Sequence, residues 1–192
     1  MTTRNTLGAL LAALTLTFLA ACGGTGSTGH EGTSSTTAPT QHNDADVAFA
    51  QQMIPHHRQA VEMADLVQGR TTTPQVVDLA TRIKGAQDPE INTMTTWLQS
   101  WGAPTDEHGM DHGSRPMSGM MTDDQMTTLR AATGAAFDKQ WLTLMTAHHE
   151  GAIDMAKTEL KDGQNPDAKA LARTITTTQQ SEIDEMRALS QR

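Results

Sequence analysis

The sequence predicts an all-α protein, a four-helix bundle built from two repeated helical hairpins. The stretch MIPHHRQAVEMA, which begins at Met53, returns as MTAHHEGAIDMA at Met145, and the same offset of 92 residues relates many further positions. Within each copy, apolar residues recur at three- and four-residue steps, which is the helical period. No run of residues alternates with the β-branched enrichment that is typical of strands. Two such hairpins bury their apolar stripes by packing on each other.

Each repeat contains two predicted helices. Pro74 and Pro166 occupy equivalent positions, and a proline in the first turn starts the second helix of each hairpin. In the connector, TDDQM from Thr122 predicts a capped helix start. Pro55 and Pro89 have no counterpart in the second repeat, and each predicts a kink or a restart of its helix. The predicted domain spans 46–192, with repeats at 46–100 and 138–192 and a Met/His-rich connector at 101–137.

The residues before this domain have a different composition. An apolar run from Leu7 to Leu19 follows Arg4 and has the length of the hydrophobic region of a signal peptide. It ends in LAAC, which resembles a bacterial lipobox with Cys22 as the lipidated residue. An ordinary cleaved signal or an uncleaved anchor is the alternative. We therefore predict a signal peptide at 1–22 and a flexible Gly/Ser/Thr linker at 23–45.

This interpretation predicts a lipid-anchored, exported protein on the outer face of a bacterial cytoplasmic membrane or in the periplasm. The net charge of −8 argues against nucleic acid as a partner. Cys22 is the one cysteine, which excludes a disulfide within the chain and leaves no other thiolate to bind a metal. Twelve methionines against three Trp, three Phe and no Tyr are unusual, and a thioether is a soft metal ligand.

The repeated motif places two adjacent histidines, two methionines and an acid on each first helix. His57 follows Met53 by four residues and faces the centre of the apolar stripe, whereas we expect His56 at its edge near Met63. The predicted ligands in the bundle are His56, His57, His148 and His149, with Met53, Met63, Met145 and Met155 nearby, and with Gln87, Glu90, Gln179 and Glu182 as their hydrogen-bond partners.

Imidazoles and thioethers without thiolates favour copper as the metal. Cu(I) takes thioethers and Cu(II) takes imidazoles, whereas zinc rarely uses methionine. The connector is dense in the same two ligand types, and a flexible segment of this kind can wrap Cu(I); a solvated loop with incidental methionines is the alternative. The connector residues predicted to capture or hand over the ion are His108, Met110, His112, Met117, Met120 and Met121.

Three functions stay open at this point. The first is extracytoplasmic binding, buffering or delivery of copper by a protein that is not an enzyme, with a second protein as a possible partner for metal transfer. The second is a ferritin-like metal-dependent oxidase, although the Glu-x-x-His pattern of such di-iron sites does not occur in the sequence. The third is a structural or interaction module whose buried histidines bond Glu90 or Gln87 in a metal-free polar layer.

The doubled motif, together with GMM from Gly119 to Met121, resembles the domain-of-unknown-function 305 family over roughly residues 44–190. The resemblance implies a ferritin-like helical bundle that is often exported and that in some members is linked to copper binding and copper resistance. Carried over by position, the residues that match the motif are Met53, His56, His57, Met63, His148, His149 and Met155.

Overall fold

The computed structural model describes residues 41–105 and 117–191, in which all regular secondary structure is helical. The predicted all-α class and the two hairpins are confirmed. α1 packs mainly on α2 and α4 on α5, while contacts between α1 and α4 join the two hairpins. The short α3 lies in the connector. The helices are α1 Asp44–Asp65, α2 Pro74–Trp101, α3 Asp123–Ala131, α4 Gly134–Asp162 and α5 Pro166–Ser190.

Local chemistry determines where the helices begin. Pro74 and Pro166 lie in the first turns of α2 and α5. A backbone N–H in the first turn has no acceptor within the helix, so proline, which lacks this N–H, gives up no hydrogen bond there. The side chain of Asn165 accepts hydrogen bonds from the first amides of α5. Thr122 and Gln125 form the reciprocal capping box that opens α3. These predicted starts are confirmed.

Both internal prolines lie within continuous helices. α1 continues through Pro55 and α2 through Pro89, so neither helix restarts at its proline. A proline removes one backbone hydrogen bond, but the stability of a helix in a folded protein comes mostly from the packing of its apolar face. Pro55 is itself buried, and it immediately precedes the histidine pair of α1.

The core consists of two apolar clusters with polar residues between them. α1 contributes Met53 to one cluster and Ala60 to the other, and α4 likewise contributes Ala152 and Met145. All four long helices place polar side chains at the level between these residues. This central polar layer comprises His56, His57, Gln87, Glu90, His148, His149, Gln179 and Glu182.

The N-terminal boundary of the bundle differs slightly from the prediction. α1 begins at Asp44, inside the segment predicted as linker, because Asn43 and Asp46 form a capping box there. The predicted signal peptide, Cys22 and the linker up to residue 40 lie outside the described residues. In the part of the chain that the structure describes, no helix combines the length and apolar character needed to cross a membrane.

The buried carboxyl groups of Asp46 and Glu159 meet at one end of the bundle. Asp46 accepts hydrogen bonds from the backbone amides of Asn43, Gln164 and Asn165 at 2.6, 3.0 and 2.8 Å, and so joins the start of α1 to the α4–α5 turn. Burial alone would raise the pKa of Asp46, but these backbone donors hold it below the usual value. Burial, and then the neighbouring Asp46, raise the pKa of Glu159 to about 8.

We expect Glu159 to make the stability of the protein depend on pH between about 4.5 and 8. Its native pKa exceeds the unfolded value of 4.5, so its stabilising contribution is complete below pH 4.5 and is lost as the pH rises through about 8. Glu159→Gln, which stays neutral, should gain about 1–3 kcal/mol of unfolding free energy relative to the wild type between pH 5 and pH 9. Urea denaturation across this range measures the difference.

Glu150→Gln is the matched control, because Glu150 is an exposed carboxylate on the same helix and pairs with Arg187 at the surface. Its stability should follow that of the wild type across the whole range, apart from a small constant offset. If the unfolding free energies of Glu159→Gln and the wild type changed with pH in parallel, Glu159 would not be a buried, protonated carboxyl group.

Candidate metal centre

The four histidines of the central polar layer are fully buried. His56 and His57 are both 0% exposed, as are His148 and His149. The prediction that His56 lies at the edge of the apolar stripe is therefore wrong. α1 packs on α4 as well as on α2, so the side of the helix that carries His56 is covered by the second hairpin.

The histidine pairs of the two hairpins meet at His56 and His148. Their ring centroids are 3.7 Å apart, with the planes inclined by 39°. Because these two residues are equivalent in the repeat, a contact between them lies on the approximate two-fold axis that relates the hairpins. The two repeats thus build one shared cluster of imidazoles.

The other histidine of each pair bonds a glutamate from the second helix of its own hairpin. His57 Nε2 lies 2.7 Å from Glu90 Oε2, and His149 Nε2 lies 2.9 Å from Glu182 Oε2. A carboxylate accepts hydrogen bonds, so Nε2 is the donor in both histidines, and Nδ1 is the nitrogen that carries the lone pair when the ring is neutral. Carboxylates hold metal-binding histidines in one tautomer in the same way.

A backbone carbonyl fixes the ring of His56. Its Nε2 donates to the Ser118 carbonyl oxygen at 3.1 Å, so Nδ1 carries the lone pair here also. The Nδ1 atoms of His56, His57 and His149 are buried, and none has a hydrogen-bond partner among the described residues. A buried polar atom left in this state costs about 1–3 kcal/mol, and a bound metal ion would give each lone pair a partner.

His148 differs from the other three histidines. Both of its ring nitrogens are buried and neither makes a well-formed hydrogen bond within 41–105 or 117–191, although the backbone of His56 lies close to the ring. The neighbouring amide groups are in a similar position, since both polar atoms of Gln87 and the Oε1 atom of Gln179 are also buried without partners there. The layer therefore lacks the full set of hydrogen bonds that a purely structural polar core requires.

Burial keeps the two central imidazoles neutral. It lowers the pKa of His56 to about 3, with the electrostatic effect of the neighbouring His57 acting in the same direction and the Ser118 carbonyl opposing it. Burial, followed by the nearby His56, holds the pKa of His148 well below its usual value, which the backbone of His56 opposes only weakly. Near neutral pH each of these two rings therefore keeps one N–H and one nitrogen with a lone pair.

The predicted methionine ligands fall into different environments. Met53 and Met145 are fully buried, one helical turn before His57 and His149. Met63 is fully buried in the apolar cluster beside Trp141, whereas Met155 lines a cavity between α1 and α4. Of the connector residues, Met121 is buried, Met117 and Met120 are half-buried, and His108, Met110 and His112 lie outside the described residues.

The donor set is one of imidazoles and thioethers. Within the described ranges, no three His, Cys, Asp or Glu side chains converge on a common point as ready metal ligands. Imidazoles are the ligands that the layer itself contains, and the thioethers of Met53 and Met145 lie one helical turn away along α1 and α4.

Sequence reasoning missed the contact between residues 117–121 and the histidines. The contact is made by the backbone carbonyl of Ser118. Every residue has a backbone carbonyl, so the sequence does not indicate which one bonds a histidine. One signal was available, since Gly151 lies inside a predicted helix two residues after His149, and glycine is unfavourable within a helix.

Comparison with known proteins identifies the family. The model of the family "Domain of unknown function (DUF305)" matches residues 46–190. The chain belongs to this DUF305 family. No curated protein shows significant similarity to the chain.

Solved structures of DUF305 proteins resemble the bundle over most of its length. A putative secreted DUF305 protein from Streptomyces coelicolor is 37% identical with a TM-score of 0.70, covering 76% of this chain and 91% of that one. A DUF305 fragment from Deinococcus radiodurans is 31% identical with a TM-score of 0.69, covering 77% and 96%. CopM in its Cu(II)-bound form is 30% identical with a TM-score of 0.66, covering 76% and 95%.

Proposed function

We propose that this DUF305 protein binds copper outside the cytoplasm and buffers or delivers it. The observation that carries the proposal is His148, a fully buried imidazole in contact with His56 and without a well-formed hydrogen bond to either nitrogen among the described residues. Such a side chain is costly in a metal-free core and useful in a metal site. Structures of the similar CopM in Cu(II)-, Cu(I)- and silver-bound forms support copper as the ion.

In this proposal copper is cargo, and the residues of the central layer hold it. His56 and His148 supply neutral imidazoles from the two hairpins, while His57 and His149 offer Nδ1 lone pairs whose direction is fixed by their glutamates. The buried thioethers of Met53 and Met145 lie next to them along the helices, which favours Cu(I) over harder ions. Connector methionines and histidines would capture the ion or hand it to a partner protein.

The proposed location is the outer face of the cytoplasmic membrane or the periplasm, with Cys22 as the lipid-anchored residue. The apolar run before LAAC and the secreted DUF305 protein of similar fold support export. A binding role without catalysis is proposed because the layer has four imidazoles and two carboxylates, each bonded to a histidine, whereas an oxidase of the ferritin type uses a carboxylate-rich di-iron site.

The test is competitive titration with Cu(I) under reducing conditions, using the chain from residue 23 onward, which contains no thiol. We expect tight binding in the wild type and at least about 100-fold weaker binding when His56 and His148 are both replaced by alanine, because the central imidazole pair is removed. Zn(II) and Fe(II) serve as competing metals.

The His108→Ala/His112→Ala double variant is the matched control, since it also removes two histidines but leaves the bundle intact. Loss of Cu(I) binding in this control, with binding retained in the bundle variant, would place the site in the connector instead. Failure of the wild type to bind any metal would leave a metal-free polar layer, and oxygen consumption with Fe(II) would favour the oxidase.

A further inference from the structure

A short segment of the connector covers the central histidines. We call residues 117–121 the strap. Gly119 of the strap lies against the backbone of α4, where an added Cβ would come within 2.7 Å of the Ala147 carbonyl oxygen. Its φ of 79° is also one that residues with side chains rarely adopt. Glycine is therefore required at this position of the strap.

The helix under the strap has a matching glycine. A Cβ on Gly151 of α4 would overlap the backbone carbonyl of Ser118, so the strap touches this helix at a point where no side chain fits. Glycine within a helix is less favourable than alanine. Its presence at 151 is explained by the close contact with the strap, which leaves no room for a side chain. Gly85 within α2 contrasts with it, because a Cβ there would meet no described atom within 4 Å.

A glutamine on α1 holds the other end of the strap. The side-chain amide of Gln59 accepts from the Met121 N–H at 2.7 Å and donates to the Met121 carbonyl at 2.9 Å. At the glycine contact, the Ser118 carbonyl also accepts the hydrogen bond from His56. The strap is thus held on α1 and α4, the two helices that carry the central imidazole pair.

We propose that Gly119, Gly151 and Gln59 are positioning residues that seat the strap over the His56–His148 pair, and that a soft cation such as Cu(I) or Ag(I) reaches this pair when the strap lifts. The second half of this inference rests on the proposed function.

Of the elements that bury the four histidines, the strap needs the least free energy to move. All four histidines are 0% exposed, so an ion reaches them only after some element moves. The long helices are held by many backbone hydrogen bonds and by the core, whereas the five-residue strap is held by the Gln59 amide, the His56 bond, the close fit at its glycines and the burial of Met121. Half-buried Met117 and Met120 travel with the strap and place thioethers on the route of the ion.

The first test uses metal-free protein and is independent of the proposed function. Gly151→Ala is compared with Gly85→Ala and the wild type by treatment with diethyl pyrocarbonate, which modifies accessible neutral imidazoles, and each histidine is read by mass spectrometry. We expect the rate at His56 to rise about tenfold in Gly151→Ala, the effect of losing one anchoring hydrogen bond, and to stay at the wild-type value in Gly85→Ala. Equal rates of modification at His56 in all three folded proteins would contradict the role of Gly151 in positioning the strap.

Gln59→Ala provides a second route to the same state, because it removes the opposite anchor and leaves the glycine contact in place. The rate at His56 should rise in this variant also. Unchanged hydrogen exchange in the α2 and α5 amides distinguishes a lifted strap from a loosened bundle. Uniformly faster exchange across all helices would mean that these residues only stabilise the fold, which contradicts the proposal.

The second test measures metal entry. Stopped-flow mixing with Ag(I), a redox-inert probe, should show uptake about tenfold faster in Gly151→Ala than in the wild type, with the same number of ions bound at the end. Unchanged uptake rates together with a more reactive His56 would overturn the route under the strap. If the wild type binds neither Ag(I) nor Cu(I), the proposed function is wrong. The diethyl pyrocarbonate result still tests whether Gly151 positions the strap over His56.

Discussion

Replacing His149 by leucine is expected to destabilise the metal-free protein by about 2–4 kcal/mol. The imidazole is the hydrogen-bond partner of the Glu182 carboxylate, whose side chain is only 7% exposed. Leucine fills a similar volume but leaves this carboxylate buried without the imidazole. Urea denaturation at pH 7, followed by circular dichroism, measures the change.

His57→Leu is the matched control in the first hairpin. Glu90, the glutamate that it leaves behind, is 16% exposed and can recover part of its hydration, so the loss of stability should be smaller than for His149→Leu. Two wild-type-like variants would show that the His–Glu pairs add nothing to the stability of the fold.

Replacing the adjacent His148 by leucine is expected to have the opposite effect on stability. The substitution removes two buried ring nitrogens that make no well-formed hydrogen bond among the described residues, and puts apolar atoms in their place. The metal-free protein should gain about 1–3 kcal/mol, or about 2–4 °C in Tm for each kcal/mol. Cu(I) binding should weaken at least about tenfold in the same variant, since one central imidazole is lost. Calorimetry without metal and competitive Cu(I) titration measure the two effects.

The sign of this change separates a ligand site from a structural polar layer. A residue kept for binding at a cost in stability gives a more stable protein when it is removed. Destabilisation by His148→Leu as large as that by His149→Leu would show that hydrogen bonds hold His148, and the metal-free interpretation of the layer would then be preferred.

The repeat and the helix starts could be predicted because each depends on residues close in sequence. Pro74 and Pro166 act within one turn, as do Thr122 and its capping partner, and the constant offset from His56 to His148 makes the two hairpins alike. The pairing of His57 with Glu90 also agrees with the predicted hydrogen-bond role of that glutamate.

The position of His56 could not be predicted in the same way. Helical periodicity identifies one buried face of α1, but this helix packs on two neighbours, and the second contact depends on how the hairpins dock. The Asp46–Glu159 pair and the contact from Ser118 to His56 likewise join residues far apart in the chain through packing and backbone atoms.

The contact of His56 with its own repeat counterpart has a consequence for the origin of the chain. A single hairpin paired with an identical copy would bring the same histidine against itself, so the bundle has the geometry of a homodimer joined into one polypeptide. A linked pair does not dissociate on dilution, because each half is always present beside the other. Linkage also allows each half to change in sequence independently. Pro55 and Pro89, for example, correspond to Ala147 and Ser181 at the equivalent positions of the second repeat.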